Sequence, residues 1–458
     1  MLPFGLLFLL PVGVVSLGTA FTAEARSNEA ASSSAVENIR LTDASSGFPF
    51  QAEPSIVVDG QGRIFAGWKE MNEIGGFNRV AFGRSLDGGR TWEKSLVEVA
   101  TPDQGQSDPW LALDESDRIY YARTQTVCPN YRDCRTPGLV VSRSDDGGLV
   151  WGPMVNIHNR PDFADKASIK SDGNGTIYAS YVTAGPTAPF GMKIIATCSV
   201  DGGVTWGPSS VLVNGLNPFA PALATRPNGT VHVVWWAPLS ATRPGGNIIA
   251  STSTDRGKTW SAPARVNSVA GSAIYDGNIG PPARIPYPSA ATNSSGNLFV
   301  AWADKAKGDY NIVVARSNDG GATWSAPVQM NDTDVGDQWT AALTVDANDM
   351  VHVAWYDGRT GNLNLYYANS ADGGRTWSPN LRVTTQETPA GSQSLGEYIG
   401  LAADRNSAAY LVWTDARDGG SAIYFARTSG ARPEPTDRTP PVRLSPRGRK
   451  APVLPPRN

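Results

Sequence analysis

The chain has 458 residues, far too many for a peptide or a disulfide-knit miniprotein, and its 48 Gly, 34 Pro and 14 Trp suit many turns between short strands. Lys+Arg 39 against Asp+Glu 42 leaves a net charge of −3, which gives a nucleic-acid partner no electrostatic footing. Three histidines and three cysteines exclude a histidine-rich metal site and a four-cysteine zinc cage, so no metal or cofactor is expected.

Residues 1–23 carry no charged side chain, and Ala23-Glu24-Ala25 closes them with a small-residue cleavage pattern. This predicts a signal peptide over 1–25 and a secreted or extracytoplasmic protein, in the periplasm or at the cell surface. An uncleaved N-terminal anchor is the alternative, because the apolar stretch is almost long enough to span a bilayer; no other membrane segment is expected. A linker follows over 26–37. Asn38-Ile39-Arg40-Leu41-Thr42 then reads as an isolated strand with a downstream copy, Asn380-Leu381-Arg382-Val383-Thr384.

The body of the chain is repetitive. Ser85-Leu86-Asp87-Gly88-Gly89-Arg90-Thr91-Trp92 recurs at 144–151, 199–206, 253–260, 317–324 and 370–377, six matches to S-x-D-x-G-x-x-W. The Asp can accept from turn N–H groups, the Gly supplies positive φ, and the Trp offers a face to bury between sheets. Upstream of each box, an apolar run, a turn such as Asp59-Gly60-Gln61-Gly62 and an alternating run end in an aromatic column: Trp68, Arg123, Tyr181, Trp235, Trp302, Trp355, Trp413. That column has seven members. The seventh unit, 397–428, stops after three strand patterns, and the copy at 38–42 supplies the missing fourth strand. The expected fold is all-β, a seven-bladed β-propeller of four-stranded blades over 38–430, its last blade closed by the N-terminal strand. A six-bladed ring is the alternative if the first or last unit is decoration.

Cys128 and Cys134 sit in one short loop and, in an exported chain, predict a loop-closing disulfide, while Cys198 falls on a strand pattern as a buried free thiol. The tail 431–458 holds eight prolines, seven basic and two acidic residues, a composition that reads as disordered. The protein is expected to be a monomer.

In a propeller the first strands line the central channel. Aligning the seven units puts Glu53, Asp108, Lys166, Ala220, Tyr287, Thr340 and Tyr398 at one channel mouth, with Asp165, Trp339 and Glu397 one residue earlier. Residues that repeat serve the blade; residues that break the repeat need another reason. A carboxylate, an ammonium and a phenol converging in this way could do acid–base work on a glycan, or form a solvated polar rim. At the second-strand ends, Trp302-Ala303-Asp304, Trp355-Tyr356-Asp357-Gly358-Arg359 and Trp413-Thr414-Asp415-Ala416-Arg417 repeat, which favours turn caps. Arg359 and Arg417 could clamp a ligand carboxylate or pair with their neighbouring Asp. Arg123 replaces an aromatic, Trp110 and other tryptophans could stack on sugars, and His232 and His352 read as structural.

The six boxes resemble the Asp-box, or bacterial neuraminidase (BNR), repeats of the sialidase superfamily, over 38–428. The resemblance implies a tyrosine nucleophile with a glutamate partner, an aspartate acid/base and three arginines on the sialic carboxylate. Tyr398 matches the tyrosine, and Asp108 in Ser107-Asp108-Pro109 matches a pocket-lining motif. The family's first arginine falls on Ala52, the glutamate partner on Ala220, and the only Arg-Ile-Pro is Arg284-Ile285-Pro286 in the fifth unit. The resemblance implies a glycoside hydrolase acting on a glycan or glycoconjugate. Its expected catalytic groups are Tyr398, Glu53, Asp108 and Glu397, and Lys166, Arg123, Arg359, Arg417, Tyr287, Trp110 and Trp339 are the expected substrate contacts. A non-catalytic glycan- or protein-binding propeller and a polysaccharide lyase are the alternatives.

Overall fold

The computed structural model describes residues 36–43, 47–73, 78–97, 104–127, 135–158, 163–184, 191–240, 243–275, 286–392 and 395–429. The expected signal segment, the Cys128–Cys134 loop and the tail 431–458 lie outside the described residues. No helix among the described residues is long and apolar enough to cross a membrane.

Every regular element described is a strand, and the strands form seven antiparallel sheets, so the seven-bladed reading holds and the six-bladed one does not. Blade 1 runs through Phe50–Val58, Ile64–Met71, Asn78–Ser85 and Glu93–Leu96. The other first strands are Gln104–Leu113, Phe163–Ser171, Phe219–Thr225, Ser289–Thr292, Gln338–Val345 and Gly400–Ala403. They neighbour one another in a ring around a channel whose cavity measures 330 Å³.

Each blade is built by the same local chemistry. At the turn between first and second strands, Asp59 Oδ1 accepts from the N–H groups of Gln61 and Arg63, both at 2.9 Å. Asp114, Asp172, Asp346 and Asp404 repeat this cap. In the box, Ser85 Oγ accepts from Gly89 N at 2.8 Å while Asp87 accepts from Thr91 N and Oγ1 at 2.9 and 2.7 Å. The box Trp then reaches the previous blade. Trp151 meets Phe82 edge-on at 5.1 Å, and Trp92 meets Phe425 of blade 7 at 5.2 Å. Gly148 must be glycine: it has φ +82°, and a Cβ there would come within 2.2 Å of Phe82.

Blade 7 closes as the repeat implied. Ile39 and Arg40 pair with Phe425 and Tyr424, and Leu41 N donates to Ile423 O at 2.7 Å. Asn38 also copies the work of Asn380. Asn38 Nδ2 donates to Val383 O and its Oδ1 accepts from Thr385 N; Asn380 makes the same two bonds to Met330 O and Asp332 N. The N-terminal strand is thus a full fourth strand, and it removes the open edge that an unclosed ring would present.

Candidate active site at the channel mouth

The mouth column is set by a repeated backbone irregularity. The first strands of blades 1, 2, 3, 4 and 6 shift register at this point. The residues in the bulge take left-handed φ: Glu53 58°, Asp108 51°, Lys166 50°, Ala220 52° and Thr340 55°. Non-glycine residues adopt this conformation at a cost, and β-bulges of this kind re-aim a side chain beside a site. Blades 5 and 7 supply Tyr287 and Tyr398 just before their shorter first strands. At Gly396, φ is +75° and a Cβ would lie 2.8 Å from Glu53 Cγ, so only glycine lets the chain entering blade 7 lie against Glu53.

The column is not a solvated rim. Glu53, Asp108, Ala220, Tyr287 and Thr340 are all buried. Lys166 is the hub. Its Nζ lies 2.6 Å from Asp108 Oδ1, 2.5 Å from Glu397 Oε2 and 3.9 Å from Asp165 Oδ1, so it ties blade 3 to blades 2 and 7. Tyr287 donates its hydroxyl to the same Glu397 Oε2 at 3.1 Å, bringing in blade 5. Lys69 Nζ holds Glu53 Oε2 at 3.2 Å, and Thr124 Oγ1 donates to Asp108 Oδ2 at 3.2 Å. The Tyr398 ring packs on Trp110, centroids 5.4 Å apart, and its hydroxyl is buried with no hydrogen-bond partner among the described residues.

These contacts separate the carboxyls. Burial opposes the charge of Asp108, but the Lys166 and Lys69 ammoniums outweigh it and hold Asp108 at about 2. Burial pushes Asp165 up to about 8 despite Lys166, with the charges of Asp108 and Glu397 adding to the rise. Burial also raises Glu53 against the pull of Lys69. Tyr398 is raised well above the usual phenol range, by burial first and then by the charges of Glu53 and Asp108. Near neutral pH the site therefore presents an ionised Asp108 beside a protonated Asp165, which is the pattern of a base and an acid in one pocket.

Glu53, Asp108, Lys166, Tyr287, Glu397, Tyr398 and the half-buried Trp110 thus come together as expected. Four other expected contacts are placed elsewhere. Arg123 is fully buried in blade 2, donating to Tyr121 O and Ser142 Oγ, both at 3.1 Å. Trp339 is buried against Tyr356. Arg359 and Arg417 clamp their own neighbours Asp357 and Asp415 and stack on Tyr366 and Tyr424. The W-x-D element explains the last two: the indoles of Trp302, Trp355 and Trp413 donate to Asp304, Asp357 and Asp415 at 2.9–3.0 Å, and each Asp also caps its turn. His232 and His352 are fully buried with hydroxyl partners, and Cys198 is a half-buried free thiol rather than a fully buried one.

Two groups went unassigned in the sequence. Lys69 follows Trp68 where the other units read Thr124, Val182, Trp236, Ala303, Tyr356 and Thr414, so a charge breaking the column was there to find. Asp165 was visible only as a neighbour of the column.

Fold and site together define a seven-bladed propeller of Asp-box-like repeats with an ion-paired cluster of acid–base groups at one channel mouth. Residues 217–398 match the BNR repeat-like domain family. The chain is 25% identical over 300 residues to a sialidase of Bacteroides fragilis (strain YCH46), a match covering 57% of this chain and 50% of that protein. It thus spans about half the length of the curated relative it matches. A protein of unknown function from Dyadobacter fermentans DSM 18053 shares the fold at TM-score 0.55 and 17% identity, over 86% of this chain and 98% of that one. The α-L-arabinanase of Penicillium chrysogenum, solved with arabinobiose, does so at TM-score 0.50 and 15% identity, over the same shares. The resemblance carried by the six boxes therefore extends to the repeat family model over 217–398 and to a sequence relative.

Proposed function

We propose that this is a sialidase-like, carbohydrate-active protein, a glycoside hydrolase working at the channel mouth on a glycan. The observation that carries the reading is the Tyr398 hydroxyl, buried and unbonded beside Glu53, Asp108 and Glu397. A buried polar group left without a partner costs about 1–3 kcal/mol, and folds avoid that cost where the group has no task. The sialidase of Bacteroides fragilis supports the same class.

In this reading Tyr398 is the nucleophile. Glu53, made more basic by burial, takes the phenol proton as the oxygen–carbon bond to the anomeric centre forms. Asp165 gives its proton to the departing glycosidic oxygen; water then gives a proton back to Asp165 as it attacks the anomeric carbon, the bond to the Tyr398 oxygen breaks, and Glu53 returns the phenol proton. Two successive displacements at the anomeric carbon, first by Tyr398 and then by water, give net retention.

The test is turnover of fluorogenic glycosides by the purified protein beside Tyr398→Phe. Activity should fall by roughly 10³-fold or more in the variant, and wild-type activity should decline as pH rises through about 8 and Asp165 loses its proton. Turnover unchanged in Tyr398→Phe would remove the nucleophile. A non-catalytic glycan-binding propeller is the second reading, favoured by the Lys166 contacts that neutralise Asp108 and Glu397 together. We also propose export through residues 1–25; a tagged chain retained in the cytosol would refute it.

A further inference from the structure

Among the described residues, three charged side chains line the channel cavity: Lys166, Glu397 and Lys170. Lys166 and Glu397 pair with each other at the mouth, at 2.5 Å. Lys170 sits four residues further along the first strand of blade 3, roughly 10 Å deeper in the channel. It has no hydrogen-bond or ion-pair partner among the described residues. The acid two residues on, Asp172, is already used. Its Oδ1 accepts from Asn174 N and Thr176 N at 2.9 and 3.1 Å, and its Oδ2 accepts from the Tyr178 hydroxyl at 3.5 Å.

Lys170 also breaks its column. The other six units place Val57, Ala112, Ala224, Ala291, Thr344 and Ala402 there, so the blade itself asks for no charge at this position. The side chain is half-buried and still reached by solvent. Burial nevertheless lowers its pKa, and no neighbouring charge offsets that fall. At Lys69 and Lys166 the opposite holds, because carboxylates outweigh burial and raise both. Enclosure by protein without loss of solvent contact is what a place on the channel wall gives.

We infer that Lys170 makes the inner channel a binding site for one small, singly charged anion. The site is separate from the acid–base cluster and stands whether or not that cluster turns over a glycan. A cation held away from bulk water is stabilised by a counterion, and here no carboxylate among the described residues supplies one. One ammonium among uncharged walls matches one negative charge. A divalent anion would bring a second charge into the channel with nothing to balance it. Ala112 and Ala402, at the corresponding positions of blades 2 and 7, also line the cavity, and their short side chains leave space across from the lysine. A halide and a small carboxylate share the chemistry that this site requires.

The experiment measures the thermal midpoint of the intact protein and of Lys170→Met at constant ionic strength, with bulky gluconate replaced stepwise by chloride, formate or sulfate. An anion that binds only the folded protein raises its midpoint as concentration rises. Chloride, formate or both should do so for the wild type, and Lys170→Met should lose that rise. The variant should fold, since other blades carry uncharged side chains at this position; Lys170→Gln is the second variant. The chloride NMR line width gives an independent reading, with the Kd raised at least about tenfold in either variant. A rise with only chloride or only formate would support the inference and say whether a halide or a carboxylate fills the site. Equal rises in wild type and variants, no rise in the wild type, or a Lys170-dependent rise stronger with sulfate than with chloride and formate would each overturn it.

Discussion

At the scale of residues, Lys166 is the side chain on which the site turns. Its side chain is only 11% exposed, it adopts φ 50°, and it joins Asp108 and Glu397 across blades that are not neighbours. Replacing it by Met should leave two carboxylates facing each other without a cation. That should cost about 3–5 kcal/mol at neutral pH and less toward pH 4, where a carboxyl can take up a proton. Urea unfolding of Lys166→Met at both pH values checks this, and an unchanged midpoint at pH 7 would mean the carboxylates find another partner. The residue scale is also where sequence was least informative. Unit alignment could bring Glu53, Asp108, Lys166 and Tyr398 to one mouth, because position within a repeat is local information. It could not show that Lys166 spans the mouth to Glu397, since reach across a channel depends on side-chain length and on bulges that non-glycine residues do not announce. Arg123 shows the same limit. Breaking the column marked it as unusual, yet only packing shows that it is fully buried in blade 2.

At the scale of elements, each box is a turn held by a carboxylate, so its stability is linked to protons. The hydroxyl and N–H groups of the threonine four residues on hold Asp87, Asp201, Asp255 and Asp319 at about 2, below the ordinary 3.8. A folded-state pKa below the unfolded one gives stability that is complete above about pH 4 and is lost as pH falls from about 4 to about 2. Asp165 works in the opposite sense: raised to about 8, it favours the folded state at low pH, and its share is lost as pH rises from about 4 to about 8. The urea midpoint should therefore drop below pH 4, and Asp319→Asn, whose amide oxygen can still accept from the turn but does not titrate, should flatten that drop. A wild-type midpoint constant from pH 4 to pH 2 would contradict the linkage. Elements were the most legible level, because the box, the Asp cap and the W-x-D staple each satisfy their own backbone within a few residues. Even the closing strand could be read at a distance of more than 300 residues, because Asn38 repeats the chemistry of Asn380.

At the scale of the whole molecule, what matters is that the ring is closed. A row of blades in which each touches only its neighbours unfolds with limited cooperativity, as stacked repeats do. Here the seam is joined by Ile39 and Arg40 pairing with blade 7 and by Trp92 of blade 1 packing on Phe425. The site straddles that seam, with Glu53 on blade 1 and Glu397 and Tyr398 on blade 7. Two changes should separate loss of stability from loss of closure. Leu41→Ala removes buried surface while keeping the strand, and should cost about 2–5 kcal/mol with the urea m-value unchanged. Deleting residues 36–43 should instead broaden the transition and lower the m-value, because blade 7 can then open without the rest. It should also weaken glycan binding more than Leu41→Ala does, since Glu53 and Glu397 no longer share a fixed wall. An m-value and binding that respond alike to both changes would mean that blade packing alone, without the N-terminal strand, holds the ring and its mouth together.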